Sequence, residues 1–144
     1  DLIETIVLSH KNKAKKKSIQ VLFEHQSDVI VRSDAKAIER VLNNLIDNAF
    51  KYSPENSIIK IKLNKQGEFI RLAVMDQGEG IAEDEQDLVF KRFFRTATAR
   101  ANTQQGSGLG LAIVKNLVYN LQGDVGVKSI SNGGSEFWFT IPIN

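Results

Sequence analysis

No cysteine occurs among the 144 residues of the chain. A disulfide framework is therefore excluded, as is any zinc site built on thiolates, and the absence suits a reducing compartment. Long apolar runs are missing too. No stretch reaches the length of a membrane span, and no secretory leader is visible. Charge of one sign is not in excess. The formal net charge is +2, too small to argue for nucleic acid by itself. Neither an internal repeat nor a second domain can be discerned, so residues 1–144 read as one domain with one core. With 42% hydrophobic and 25% charged residues, the composition is that of an ordinary globular protein. The first residue is Asp1 rather than Met, and the expectation is a fragment of a longer chain.

What is present is periodic. Leu2, Ile3, Ile6 and Val7 recur at helical spacing, and the pattern predicts a helix over 1–17 that ends in Lys11, Lys13, Lys15, Lys16 and Lys17. That lysine run reads as a solvated helix end, where cations favour the helix dipole. Residues 19–24 and 29–32 read as short strands. Ser33 or Asp34 can cap a second helix carrying Ile38, Val41, Leu42, Leu45, Ile46 and Ala49. Pro54 disfavours helix at Ser53 and marks its end. Ile59, Ile61 and Leu63 alternate with Lys60 and Lys62, and a turn at Gln66-Gly67 leads to a strand with Ile70, Leu72 and Val74 on one face. Residues 77–107 read mostly as loop, broken by aromatics at Phe90, Phe93 and Phe94; so long an irregular stretch points to function or disorder. Leu109, Ile113, Val114, Leu117, Val118 and Leu121 predict a last helix closed by Gly123. A final hairpin, 125–130 with 136–141, turns across Asn132-Gly133-Gly134.

Two glycine clusters sit about thirty residues apart: Asp76-Gln77-Gly78-Glu79-Gly80-Ile81 and Gly106-Ser107-Gly108-Leu109-Gly110-Leu111. Glycine lets backbone approach a ligand and offer its N–H groups, and a helix start adds partial positive charge. Asp76 ends an apolar row, where an unpartnered charge is costly. It accepts hydrogen bonds either from the following glycine turn or from the amine of a base. Three alternating glycines before an apolar helix run against helix propensity, which backbone contact with phosphate would explain. The chain has neither the Gly-Lys-Ser/Thr ending of a Walker loop nor the order of a dinucleotide fingerprint.

Asn44, Asn48, Lys51 and Tyr52 form a polar stripe beside the apolar face of the second helix. Asn44 and Asn48 project roughly 40° apart at 3.6 residues per turn. Amide oxygens are hard donors that suit Mg²⁺ together with phosphate oxygens and water, and Lys51 is a point charge for phosphate.

These segments carry a family resemblance. Asn44-Leu45-Ile46-Asp47-Asn48-Ala49-Phe50-Lys51-Tyr52-Ser53-Pro54 resembles the N box of bacterial sensor histidine kinases. Asp76 to Ile81 resembles their first glycine box, Val89-Phe90-Lys91-Arg92-Phe93-Phe94-Arg95 their F box, and Gly106 to Lys115 their second glycine box. All four occur in family order across nearly the whole chain. The resemblance implies an α+β fold: a two-layer α/β sandwich, with a mixed, mostly antiparallel sheet of about five strands covered on one face by about three helices, and a flexible ATP lid.

It further implies that ATP and Mg²⁺ bind. Asn48 would be the main metal ligand with Asn44 assisting, Lys51 would contact phosphate, and Tyr52 would pack near the adenine. Asp76 would bind the adenine amino group, directly and through water, Gly78 and Gly80 would shape the floor, Ile81 would belong to the same ATP-binding set, and Gly106, Ser107, Gly108, Leu109, Gly110 and Leu111 would cradle phosphates. Residues 96–105 fit the lid, with Arg95 and Arg100 reaching the γ-phosphate and Phe90 and Phe94 at its base. The implied activity is transfer of the γ-phosphoryl group to a His on a dimerisation domain, for relay to a response regulator. The expected place is the cytoplasm. No nucleic acid or membrane partner is expected of this domain, and alone it is expected to be a monomer.

His10 and His25 do not match the family's acceptor pattern and read as exposed side chains; the acceptor domain is expected to precede Asp1. ATPase relatives of the fold, such as gyrase-type topoisomerases, usually carry Glu four residues before the metal-binding Asn, as a general base. Here Asn44 stands there, and an amide cannot take a proton, so slow hydrolysis is expected. The other readings are an ATPase or serine kinase of the same fold, and a degenerate nucleotide-binding module that only regulates a partner.

Overall fold

The computed structural model describes residues 2–25, 33–86, 88–91, 110–130 and 133–143. Its strands are β1 (Gln20–His25), β2 (Ile58–Gln66), β3 (Phe69–Met75), β4 (Asp124–Ser129) and β5 (Ser135–Pro142). They form one sheet in the order β1-β2-β3-β5-β4. β1 and β2 are parallel, and the other neighbours are antiparallel. The connections dictate this. A two-residue turn joins β2 to β3, which forces antiparallel pairing, whereas the helix α3 (Ala35–Tyr52) returns the chain for a parallel strand beside β1. Gly67 in that turn has φ +59°, the left-handed geometry a two-residue hairpin needs.

Alternation puts Ile59, Ile61, Ile70, Leu72, Val74, Phe137, Phe139 and Ile141 on one face of the sheet, all buried. Onto that face pack Val41, Leu42, Leu45, Ile46 and Ala49 of α3, Val114 and Val118 of α5 (Gly110–Asn120), and Ile3, Ile6 and Val7 of α1 (Leu2–Ser9). This is the expected two-layer α+β sandwich with a mixed sheet. The other face carries Arg71, whose guanidinium lies 5.1 Å from the Trp138 ring, and a buried Glu136 between Arg71 at 3.4 Å and Lys128 at 3.0 Å.

Several expectations need correction. The helix over 1–17 is two helices, α1 and α2 (Lys11–Lys17). The Ser9 hydroxyl donates to the Ile6 carbonyl, which a continuous helix would offer to His10, and the His10 N–H goes to Val7 instead. A hydroxyl competing for a backbone acceptor breaks the ladder there. His10 is not exposed but buried, its Nε2 2.7 Å from Asn43 Oδ1 and its ring stacked on Phe50; His25 is exposed. The lysine run is not wholly solvated either. Lys13 Nζ donates to Asp47 at 2.9 Å, and Lys17 Nζ donates to the carbonyls of Phe50 and Ser53. Gly123 is not the left-handed residue that ends α5. Gln122 is, at φ +65°, and Gly123 is needed because a Cβ there would overlap the Thr140 carbonyl. Within 77–91 the loop contains a short helix, α4 (Glu83–Gln86). The strand expected over 29–32 lies outside the described residues.

Candidate functional site

Two places along α3 gather the polar residues of the sequence. At the C-terminal end of the helix, β3 runs out into Asp76, which is 4% exposed. Its Oδ1 accepts from the N–H of Gly78 at 3.0 Å and of Ser135 at 3.2 Å. Burial pushes the Asp76 carboxyl above its ordinary pKa, and those two N–H groups oppose the shift without cancelling it. Both bonds fall on Oδ1, and neither uses Oδ2.

The glycines around Asp76 have separate causes. A Cβ on Gly78 would lie 2.5 Å from the Tyr52 carbonyl oxygen, so this glycine lets the loop pack on the end of α3. Gly80 has φ +82°, a conformation open to glycine at no steric cost. Ile81, half-buried, is tied to β4: its N–H donates to Ser129 Oγ at 3.1 Å, and the Ser129 hydroxyl donates back to its carbonyl at 2.7 Å. Gln86 Nε2 also donates to the Ile81 carbonyl.

Gly134 and Ser135 are legible in the sequence only as hairpin residues. Gly134 has φ +104°, and a Cβ on it would overlap the Asp76 carbonyl oxygen. The Asp76 N–H donates to the Ser135 carbonyl at 2.9 Å. The β4–β5 hairpin thus seats the carboxylate from behind. The signal that could have found it is Gly-Gly followed directly by a strand that must pair beside β3.

The other place is the middle of α3. Asp34 starts the helix by accepting from the N–H groups of Lys36 and Ala37, and Ser53 ends it in extended geometry before Pro54. Asn44, Asn48, Lys51 and Tyr52 are all half-buried along its rim. Asn44 Nδ2 donates to the Arg40 carbonyl at 3.0 Å. Its Oδ1 would be 3.6 Å from a Cβ on Gly110, so the amide oxygen faces the described start of α5, where Gly110 and Leu111 lie. His10, Lys13 and Lys17 brace α3 through Asn43, Asp47, Phe50 and Ser53. Phe90 is half-buried, its ring edge-on to Phe137 at 6.3 Å. Of the remaining residues singled out in the sequence, Phe93, Phe94, Arg95, Arg100, Gly106, Ser107, Gly108 and Leu109 lie outside the described residues, as does the expected lid at 96–105.

Residues 33–144 match the family described as histidine kinase-, DNA gyrase B-, and HSP90-like ATPase. The chain belongs to this family. Its domain is therefore an ATP-binding one, and its relatives narrow the kind. The sensor-like histidine kinase SenX3 of Mycobacterium tuberculosis is 38% identical over 141 residues, which cover 98% of this chain and 34% of that protein. The chain thus spans about a third of the length of that relative. The catalytic domain of the histidine kinase ThkA superposes with a TM-score of 0.87 at 31% identity, covering 99% of this chain and 90% of that one. ThkA solved in complex with the response regulator protein TrrA matches at a TM-score of 0.84 and 28% identity, covering 99% of this chain and 40% of that one. Among the described residues of the domain, no helix is long and apolar enough to cross a membrane.

Proposed function

We propose that residues 1–144 form the catalytic and ATP-binding domain of a sensor histidine kinase. One observation carries this reading: α3 has a half-held buried carboxylate at its C-terminal end and an amide oxygen facing the start of α5 about two turns before. From Tyr52 to Asn44 the helix rises about 12 Å, a length suited to a nucleotide laid along it. Asp76 Oδ2 accepts from the adenine amine, with Gly78, Gly80 and Ile81 beneath the base and Tyr52 beside it. Lys51 meets phosphate, and Gly106, Ser107, Gly108, Leu109, Gly110 and Leu111 donate to the phosphates. Phe90 anchors the base of a lid that brings Arg95 over the γ-phosphate.

Asn48, assisted by Asn44, holds Mg²⁺; these hard neutral donors fit an ion that keeps water and takes phosphate oxygens. The ion supplies neutralisation of charge on the β- and γ-phosphates. In the full protein the γ-phosphoryl group goes to a His of the dimerisation domain, then to a response regulator Asp. ThkA was solved with its regulator, which supports a partner of that kind here. The domain works in the cytoplasm as a monomer unless its dimerisation domain joins it. Asn44 cannot act as a base for water, which favours transfer over hydrolysis.

The test supplies the parent's acceptor domain in trans with Mg·ATP and measures acid-labile phosphate. Transfer is expected, and Asn48→Ala should cut it by about 100-fold or more, the effect of one lost electrostatic contact at developing charge. Brisk Mg²⁺-dependent hydrolysis by the chain alone, abolished in Asn48→Ala, would instead make it an ATPase. Failure to bind ATP would make it a regulatory module.

A further inference from the structure

The ligand-binding row of α3 does not stop at Asn44. Residues four apart stack on one side of a helix, and the row Asn48, Asn44 continues toward the N-terminus as Arg40 and Lys36. An open groove of roughly 350 Å³ runs beside this stretch, lined by Lys36, Glu39, Arg40, Asn43, Asn44 and Asp47. Its charges are unequal in availability. Asp47 is engaged by Lys13 at 2.9 Å, with His10 Nδ1 at 3.8 Å. Arg40 and Lys36 are exposed and form no ion pair with the described residues.

The polarity of the site decides what Arg40 meets. Asp76 and the Gly78 loop pack at the Tyr52 end of α3, and Gly110 packs at Asn44. A nucleotide bound as proposed above therefore runs from base at Tyr52 to terminal phosphate at Asn44. Its next neighbour along the helix is Arg40, whose Cα lies about 6 Å beyond that of Asn44 at 1.5 Å per residue. An extended arginine side chain spans that distance. Its guanidinium is planar, weakly hydrated and always charged, and its fork of donors matches two phosphate oxygens.

We propose that Arg40 is a catalytic residue of the transfer step, contacting the γ-phosphoryl group from the open groove. The inference rests on the histidine-kinase reading of the site. In the step, a lone pair on an imidazole nitrogen of the acceptor forms a bond to the γ-phosphorus. The bond from that phosphorus to the β–γ bridging oxygen breaks, and ADP leaves with the electron pair. The imidazole proton passes to a base of the acceptor's own domain. Charge spreads over the three equatorial oxygens as the phosphoryl group moves. Arg40 stabilises it there, and the groove beside Arg40 admits the acceptor. Because the side chain stands on a helix braced by α1 and α2, it is in place before the acceptor arrives. Lys36, one turn farther, is too distant for the same contact.

The test compares Arg40→Ala and Arg40→Lys with the unaltered chain. Affinities for ADP and for ATP are measured by calorimetric titration, and transfer to the acceptor domain is measured over a range of acceptor concentrations. Arg40→Ala should lower the maximal transfer rate by about 100- to 1,000-fold, the range for a lost donor to developing charge. Affinity for ADP, which has no γ-phosphoryl group for Arg40 to meet, should stay within about three-fold, which also shows that the variant folds; affinity for ATP should fall by more than that for ADP, and Arg40→Lys should recover part of the rate. An unchanged maximal rate overturns the proposal. So does a rise in KM for the acceptor with the maximal rate intact, which would make Arg40 a docking residue. If the unaltered chain binds ATP yet transfers nothing, the histidine-kinase reading fails first and takes this role with it.

Discussion

Replacing Gly134 with alanine tests whether the β4–β5 hairpin sets the position of Asp76. Two costs follow from the structure. At φ +104° an alanine is held in a region that L-residues rarely enter, which costs about 1–3 kcal/mol. Its Cβ would also overlap the Asp76 carbonyl oxygen and stand 2.9 Å from the Asp76 carbonyl carbon and 3.1 Å from Gln77 Cα. These are backbone atoms that cannot swing aside, so the end of β3 must shift, at about 1–3 kcal/mol for an overpacked site. The expected loss is therefore about 2–6 kcal/mol, a large share of the roughly 5–15 kcal/mol typical of a domain. Gly67→Ala is the control. Gly67 has φ +59°, and a Cβ there would meet nothing within 4 Å, so only the left-handed penalty of roughly 1–2 kcal/mol applies.

Urea unfolding followed by tryptophan fluorescence measures both, since Trp138 lies on β5. ATP titration of the folded fraction measures the site. Gly134→Ala should also weaken ATP binding, because the Ser135 N–H and carbonyl that flank Asp76 move with the hairpin; Gly67→Ala should not. The reasoning is refuted if Gly134→Ala is no less stable than Gly67→Ala, or if it loses stability while ATP affinity stays level.

Asp76→Asn should keep the bonds to Gly78 and Ser135 through its amide oxygen yet lower ATP affinity by about 10- to 100-fold, as for a lost hydrogen bond to a charged group; equal affinity in a calorimetric titration would refute the role given to Asp76. The same variant has a pH signature. Burial raises the folded-state pKa of Asp76 above 3.8, so the folded chain holds that proton more firmly, and stability is lost as pH rises from 3.8 through the folded value. Asp76→Asn should remove that decline in urea midpoints measured across acidic pH. Glu136 has the opposite sign. Burial works against its charge, but Lys128 and Arg71 outweigh it and hold its pKa below 4.5. Its contribution is full above pH 4.5 and is lost as pH falls through the folded value. Glu136→Gln should therefore destabilise at neutral pH, by on the order of 1 kcal/mol since Lys128 is exposed, and flatten the acid limb. An unaltered acid limb would count against the pair.

Much of the site can be read along the chain because its parts are local. The row Asn44, Asn48, Lys51 follows from one helical period. The burial of Asp76 follows from one strand period, since it continues the face of Ile70, Leu72 and Val74. What backs Asp76 is hidden, because Gly134 and Ser135 are 58 and 59 residues away and meet it only through the pairing of β3 with β5. Gly78 reads in the sequence as a ligand-facing glycine, whereas contact with the Tyr52 carbonyl already requires it. The burial of His10 is hidden for a similar reason. Its neighbours in sequence are polar, and what surrounds it is Asn43 and Phe50 of another helix.

The sequence by itself determined the five strands, the two long helices and the motif order, since periods of 2 and 3.6 and the stops at Pro54 and Gly67 act within a few residues; the two-layer arrangement was implied only by the family resemblance. Only the tertiary structure decided how the parts of the candidate site meet. Asp76 lies at the Tyr52 end of α3 and Gly110 at Asn44 because two separate segments are brought to one helix by sheet pairing and core packing. No local period encodes that meeting, and the proposed position of Arg40 beyond the phosphate end rests on it.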